Sequence, residues 1–155
     1  MVVQRLVSEV MTRPVISVTP QTPLQEAVKL LSEHHISGLP VVDGGKLVGE
    51  LSEQQLMARE TGFEAGPYVM LLDSVIYLKN PLQWDKEVHQ VLGKRVGELM
   101  AGHPHTCKPD LALPAAAKLL QDRRTQRLFV VDAQQDLVGV LTRGDVVRAL
   151  AEAGA

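Results

Sequence analysis

The run Gly139-Val140-Leu141-Thr142-Arg143-Gly144-Asp145 sets a hydroxyl and a carboxylate three residues apart, where an apolar strand pattern gives way to a helical one. Two uses of that spacing are open. In the plainer one, Thr142 is an N-cap and Asp145 completes a capping arrangement of the kind many helices have without a ligand. In the other, the free N–H groups and dipole at the helix terminus attract a phosphate, and Thr142 adds a hydroxyl. Ionised Asp145, an acceptor-only group, then takes both hydroxyls of a ribose. Gly139 lets a ligand or another chain approach closely.

Other reactive side chains offer less chemistry. His34-His35 ends a helical pattern, where imidazolium compensates the dipole. His103 and His105 flank Pro104 without a nearby carboxylate or thiol, a poor metal site. Cys107 is the single cysteine, which excludes an internal disulfide and any multi-cysteine zinc or iron–sulfur centre. No metalloprotease, Walker or dinucleotide-binding motif is present. No catalytic residue and no metal ligand is expected.

The elements that position these residues occur twice. Shifting the sequence by 89 brings Met11 onto Met100, Leu24 onto Leu113, and Val41-Val42-Asp43 onto Val130-Val131-Asp132. After one inserted residue the shift is 90, and Leu47-Val48-Gly49 matches Leu137-Val138-Gly139. Similarity in this order marks a tandem duplication. Each unit reads as β-α-β-β-α. Short strands are expected at residues 15–18 and 105–108, ending at proline turns. The first helix is expected with Thr22 as N-cap, Pro23 at N1 and Gln25 closing a capping box. Its core positions are Leu24, Ala27, Val28 and Leu31, matched by Leu113, Ala116, Ala117 and Leu120. Strands follow at 39–42 and 46–51, joined at Asp43-Gly44-Gly45, and again at 128–131 and 137–141. The fold class is α+β and sandwich-like. Its divisions are repeat 1 at 1–56, a partly helical insertion at 57–94 and repeat 2 at 95–155. A unit of this size buries little surface alone, so the repeats are expected to pack with pseudo-twofold symmetry and two clefts at the seam.

Composition narrows the function. The 155 residues carry a net charge of −2, with 45% apolar and 22% charged residues. That balance argues against a nucleic-acid or membrane-surface binder, both of which need a concentrated basic field. The N-terminal residues lack a secretory apolar run, which points to the cytoplasm. Aromatics are only 3% of the chain.

The phrases Ile36-Ser37-Gly38-Leu39-Pro40-Val41-Val42-Asp43 and Leu137 to Asp145, on this duplicated grammar, resemble a tandem pair of CBS (cystathionine β-synthase) domains, a Bateman module. The resemblance covers about residues 5–56 and 94–150. It implies a regulatory, non-catalytic module that binds AMP, ADP or ATP, in some members S-adenosylmethionine, with or without Mg²⁺. It implies that Asp145 holds the ribose and Thr142 a phosphate or ribose oxygen. Adenine would lie against Pro14, Val15 and Ile16, with Ile36 and Ser37. Arg127 stands at a position that often meets phosphate, with Arg124 as a further candidate; the plainer reading of both is a solvated basic face. Repeat 1 departs from the pattern. Gln55 stands where the ribose carboxylate is expected, and Glu50 and Glu53 would repel phosphate, so one good site and one weak site are expected. A ligand-independent scaffold is the alternative reading.

The insertion holds four of the five aromatics, Phe63, Tyr68, Tyr77 and Trp84. Residues 67–78 are strongly apolar and residues 85–92 read as a helix. The cluster serves either as cover for the module or as an oligomer or partner surface. With Pro67 to Ser74 and Val96 to Met100, the insertion resembles that of cyanobacterial and plant chloroplast single-pair CBS proteins. This implies a homodimer or higher oligomer and a regulated partner protein such as a thioredoxin or Calvin-cycle enzyme.

Overall fold

The computed structural model describes residues 5–57, 68–70, 75–77 and 93–153. In chain order the elements are α1 (Val7–Val10), α2 (Leu24–Glu33), β1 (Gly38–Asp43), β2 (Lys46–Ser52), α3 (Glu53–Met57), β3 (Tyr68–Met70), β4 (Val75–Tyr77), α4 (Val96–Leu99), β5 (Thr106–Cys107), α5 (Leu113–Asp122), β6 (Arg127–Val131), β7 (Leu137–Thr142) and α6 (Arg143–Ala153). This is a mixed α+β chain. Among the described residues no helix is long and apolar enough to cross a membrane.

The chain divides into two compact units. An amino unit holds 17–43 and the described part of 48–102; a carboxyl unit holds 5–16, 44–47 and 103–153. In the carboxyl unit β5 runs parallel to β6, and β6 antiparallel to β7, with Arg127 opposite Thr142. Thr12 extends this sheet by an antiparallel bridge to Val140. In the amino unit β1 pairs with β2, Val18 bridges Val41 in parallel, and Ala101 bridges Glu50 antiparallel. The two patterns match position for position at the repeat shift.

The segment before each repeat therefore belongs to the unit built on the other repeat. Residues 5–12 form a strap in the carboxyl unit: Val7 N donates to Leu111 O at 2.9 Å and Ser8 N to Pro109 O at 2.9 Å. Residues 94–101 do the same in the amino unit, where Val96 N donates to Thr22 O at 2.9 Å and Gly97 N to Pro20 O at 2.8 Å. Each strap carries one short helix, α1 or α4. Glu9 and Glu98 accept the amides of Leu6 and Arg95 at 2.7 and 2.8 Å, closing the first turn.

These straps change how the longer helices begin. Thr22 does not cap α2. Its hydroxyl accepts the amide of Thr19 at 3.0 Å, in a turn of its own, and the helix starts at Leu24 after Pro23. The orphan amide of Leu24 goes to Lys94 O at 2.7 Å, and that of Leu113 to Arg5 O at 2.8 Å. Both helices are thus satisfied at their first residue by strap carbonyls.

Turn chemistry follows the sequence more directly. Gly44 and Gly45 both take positive φ, +59° and +83°, the two-residue geometry that joins twisted strands without splaying them. The longer turn before β7 is held by Asp132, whose Oδ1 accepts Gln134 N at 2.9 Å and Asp136 N at 3.0 Å.

The core of the carboxyl unit gathers Val7, Cys107, Leu113, Ala116, Leu120, Leu128, Val130, Leu141 and Ala149. Leu24, Ala27 and Leu31 are buried on α2, at the expected helical spacing, while Val28 and Ala117 lie only half-buried. The opening strands are shorter than expected: only Val18 pairs in the first repeat and only Thr106–Cys107 in the second. In the insertion, Tyr68 pairs with Tyr77 and Met70 with Val75 in an antiparallel hairpin. Phe63, Trp84 and the helix expected at 85–92 lie outside the described residues.

Candidate functional site

At the β7–α6 junction, Thr142 and Asp145 form a reciprocal capping box. Asp145 N donates to Thr142 Oγ1 at 3.1 Å, and Thr142 N donates to Asp145 Oδ2 at 2.9 Å. Asp145 has two further partners. The Thr12 hydroxyl donates to its Oδ1 at 3.1 Å and Oδ2 at 3.2 Å, and Arg148 Nη2 pairs with Oδ1. With three donors converging on it, Thr142 N, the Thr12 hydroxyl and Arg148 Nη2, the carboxylate is 1% exposed. A buried charge of this kind is retained only where it is paired and hydrogen-bonded.

The equivalent junction in the amino unit is simpler. Ser52 N and Ser52 Oγ both donate to Gln55 Oε1, at 2.8 and 2.6 Å. The neutral amide closes the helix start with Ser52 alone, so a cap at this place does not require a carboxylate.

Cationic side chains mark the same asymmetry. The carboxyl unit has arginine at 123, 124, 127, 143 and 148; the repeat-equivalent residues are His34, His35, Gly38, Glu53 and Ala58. Arg127 is buried at the start of β6, across from Thr142. Arg124 is exposed, just past the end of α5 with φ +52°. Arg143 spans back to α5, donating to Thr125 O at 2.9 Å and Leu120 O at 3.2 Å. Ionised carboxylate, hydroxyl, helix N-terminus and guanidinium groups are the set that binds a sugar phosphate.

Of the residues singled out from sequence, Thr142, Asp145, Gly139, Arg127, Arg124, Pro14, Val15 and Ile16 belong to the carboxyl unit, and Ile36 and Ser37 to the amino unit. Gly139 admits the chain's own strap: a Cβ there would stand 2.9 Å from Met11 Cγ. Thr12 and Arg148 were not legible as site residues. Arg148 lies at i+3 from Asp145, a readable helical spacing. Thr12 lies 133 residues from Asp145, and nothing local announces the meeting. Among the described residues no group of three or more His, Cys, Asp or Glu could hold a metal ion.

Comparison with known proteins places this architecture. Residues 7–61 and 96–152 each match the family model for the CBS domain. The chloroplastic CBS domain-containing protein CBSX2 of Arabidopsis thaliana is 39% identical over 137 residues, covering 85% of this chain and 57% of that protein. The chain therefore spans little more than half the length of this curated relative. The crystal structure of CBSX2 matches with a TM-score of 0.76 at 33% identity, covering 98% of each chain. The structure of CBSX2 in complex with AMP matches with a TM-score of 0.72 at 33% identity, covering 97% of this chain and 98% of that one. With a match at each repeat and relatives that follow it along nearly its full length, the chain belongs to the CBS domain family, as a tandem pair.

Proposed function

We propose that this chain is a regulatory module that binds an adenine nucleotide (AMP, ADP or ATP) in its carboxyl unit and passes occupancy to a partner protein without catalysing a reaction. The observation that carries the reading is the asymmetry between the repeats: a carboxylate and five arginines in one unit stand against Gln55 and no arginine at the equivalent positions. Asp145 accepts the ribose hydroxyls, Thr142 and the α6 terminus meet phosphate oxygen, and Arg127 and Arg124 supply positive charge. Pro14, Val15 and Ile16 offer an apolar wall for adenine. CBSX2, at 33% identity, has been crystallised with AMP, which supports the ligand class. The amino unit, with Gln55 flanked by Glu50 and Glu53, binds weakly.

Association of copies belongs to the same proposal. Val147 and Leu150, three apart on α6, are 63% and 66% exposed, an apolar pair suited to a helix-mediated homodimer.

A melting series with AMP, ADP, ATP and S-adenosylmethionine tests the ligand reading. A native-state ligand at a hundredfold over its Kd stabilises by about 2.7 kcal/mol. Absence of any shift at millimolar concentration overturns it and favours a ligand-independent scaffold.

A further inference from the structure

Asp145 has more partners than a helix cap requires. The capping box with Thr142 satisfies the first turn of α6, yet the Thr12 hydroxyl and the Arg148 guanidinium also lie on the carboxylate. The Asp145 carboxylate is 1% exposed and the Arg148 side chain 68%, and Thr12 is also exposed, so both covering groups are reachable from solvent while the acceptor beneath is not. A ligand that is to reach Asp145 must displace them.

The duplication supplies an internal control. At the positions equivalent to Thr12, Asp145 and Arg148, the other repeat has Ala101, Gln55 and Ala58. All three residue types change together. Ala101 still makes its sheet bridge, donating to Glu50 O at 2.8 Å and accepting from Glu50 N at 2.9 Å, as Thr12 does with Val140. The bridge needs no hydroxyl, and the cap needs no arginine. What Thr12 and Arg148 have in common is the carboxylate.

We infer that Thr12 and Arg148 form a clasp that closes the Asp145 site in the unliganded chain, and that ligand entry opens the clasp and loosens the strap. The inference rests on the nucleotide-binding reading above. The Thr12 hydroxyl shares its one proton between the two carboxylate oxygens, the acceptors to which a ribose diol would donate two. A ribose replaces that donor. Thr12 then keeps its backbone bridge to Val140, and the strap loses its side-chain bond to α6 at this end, while the Arg5–Glu152 pair holds the other. Occupancy in the carboxyl unit is thereby read out at residues 5–12.

The test is calorimetric titration of AMP into the full chain as wild type, Thr12→Ala and Thr12→Ser, with hydrogen exchange on the wild type. Removing the competing donor tightens AMP by about three- to tenfold in Thr12→Ala, while Thr12→Ser, which keeps the donor, stays within about twofold. AMP accelerates exchange at the amides of Val7, Ser8 and Thr12. If wild type binds AMP but Thr12→Ala leaves its affinity unchanged or weaker, or the strap amides do not respond, the clasp is wrong and the site stands. If neither wild type nor Thr12→Ala binds AMP at millimolar concentration, the nucleotide reading falls and the clasp with it. Ala101 shows that alanine is compatible with a bridge at this place.

Discussion

Met11 lies directly on Gly139, its thioether occupying the space that any larger residue at 139 would need. Met100 and Gly49 repeat the arrangement in the other unit, but there a Cβ would also stand 2.8 Å from the carbonyl oxygen of Ala101. A flexible side chain can withdraw; a backbone carbonyl held in a sheet bridge cannot. Gly139→Ala is expected to cost about 1 kcal/mol and Gly49→Ala about 2–3 kcal/mol, in the range for overpacking. Chemical denaturation of the two variants checks the order. In a Met11→Ala background the cost of Gly139→Ala should shrink, and additive costs would show that the two residues do not share the space.

Asp145→Ala removes a cap and leaves the Thr142 amide and Thr12 hydroxyl without their acceptor. A loss of about 2 kcal/mol is expected from the cap and hydrogen-bond contributions together. Gln55→Ala, which leaves Ser52 unpartnered but no charge behind, is expected to cost about 1 kcal/mol. Thermal melts of both variants, without ligand, measure the difference.

Arg124 and His35 occupy the same place in their units, the residue beyond the helix C-cap, with φ of +52° and +53°. The next amides, Thr125 N and Ile36 N, reach back to Leu120 O and Leu31 O at 3.1 Å, the bond that closes a helix with a left-handed residue. Neither side chain is glycine, so both positions carry backbone strain. His35→Gly is expected to stabilise by about 0.5 kcal/mol, the relief of strain exceeding the entropy glycine adds to the unfolded chain. Arg124→Gly should do the same while weakening any phosphate ligand, which separates its two roles in one melting experiment with and without AMP.

Burial pushes the Cys107 thiol up from its ordinary value near 9 to about 11. The thiol therefore stays protonated at neutral pH and reacts slowly with iodoacetamide in the native state. Its folded value is raised, so its contribution to stability is complete below pH 9 and is lost as pH climbs through about 11. Val18, its repeat equivalent, is buried likewise. Cys107→Val should change stability by less than about 1 kcal/mol and abolish that alkaline component, whereas Cys107→Ser places an unpaired hydroxyl in the core and costs about 1–3 kcal/mol. Denaturation at pH 7 and pH 10 distinguishes them.

The sequence made the duplication readable because apolar spacing and turn residues are local signals. Leu24, Ala27 and Leu31, the paired glycines at 44 and 45, and the Thr142–Asp145 box all follow from successive steps of four positions or fewer. What escaped were bonds between distant residues. Thr22 has the chemistry of an N-cap, but Lys94 satisfies the helix in its place from 70 positions away. The shift of 89 already joined Met11 to Met100, yet periodicity says nothing of which repeat a strap will join. For the same reason Thr12 was invisible beside Asp145.

The straps also set the order in which the protein closes during synthesis. The amino unit is drawn from residues 17–43 and 48–102, and its chain is complete once Gly102 has left the ribosome. Val7, made about a hundred residues earlier, is fully buried in a core whose other members run from Cys107 to Ala149. Thr12 waits for Asp145 across 133 residues, an interval of about 7–27 s at typical translation rates. Through that interval Val7 has only part of its core to join, and α6 supplies what completes it.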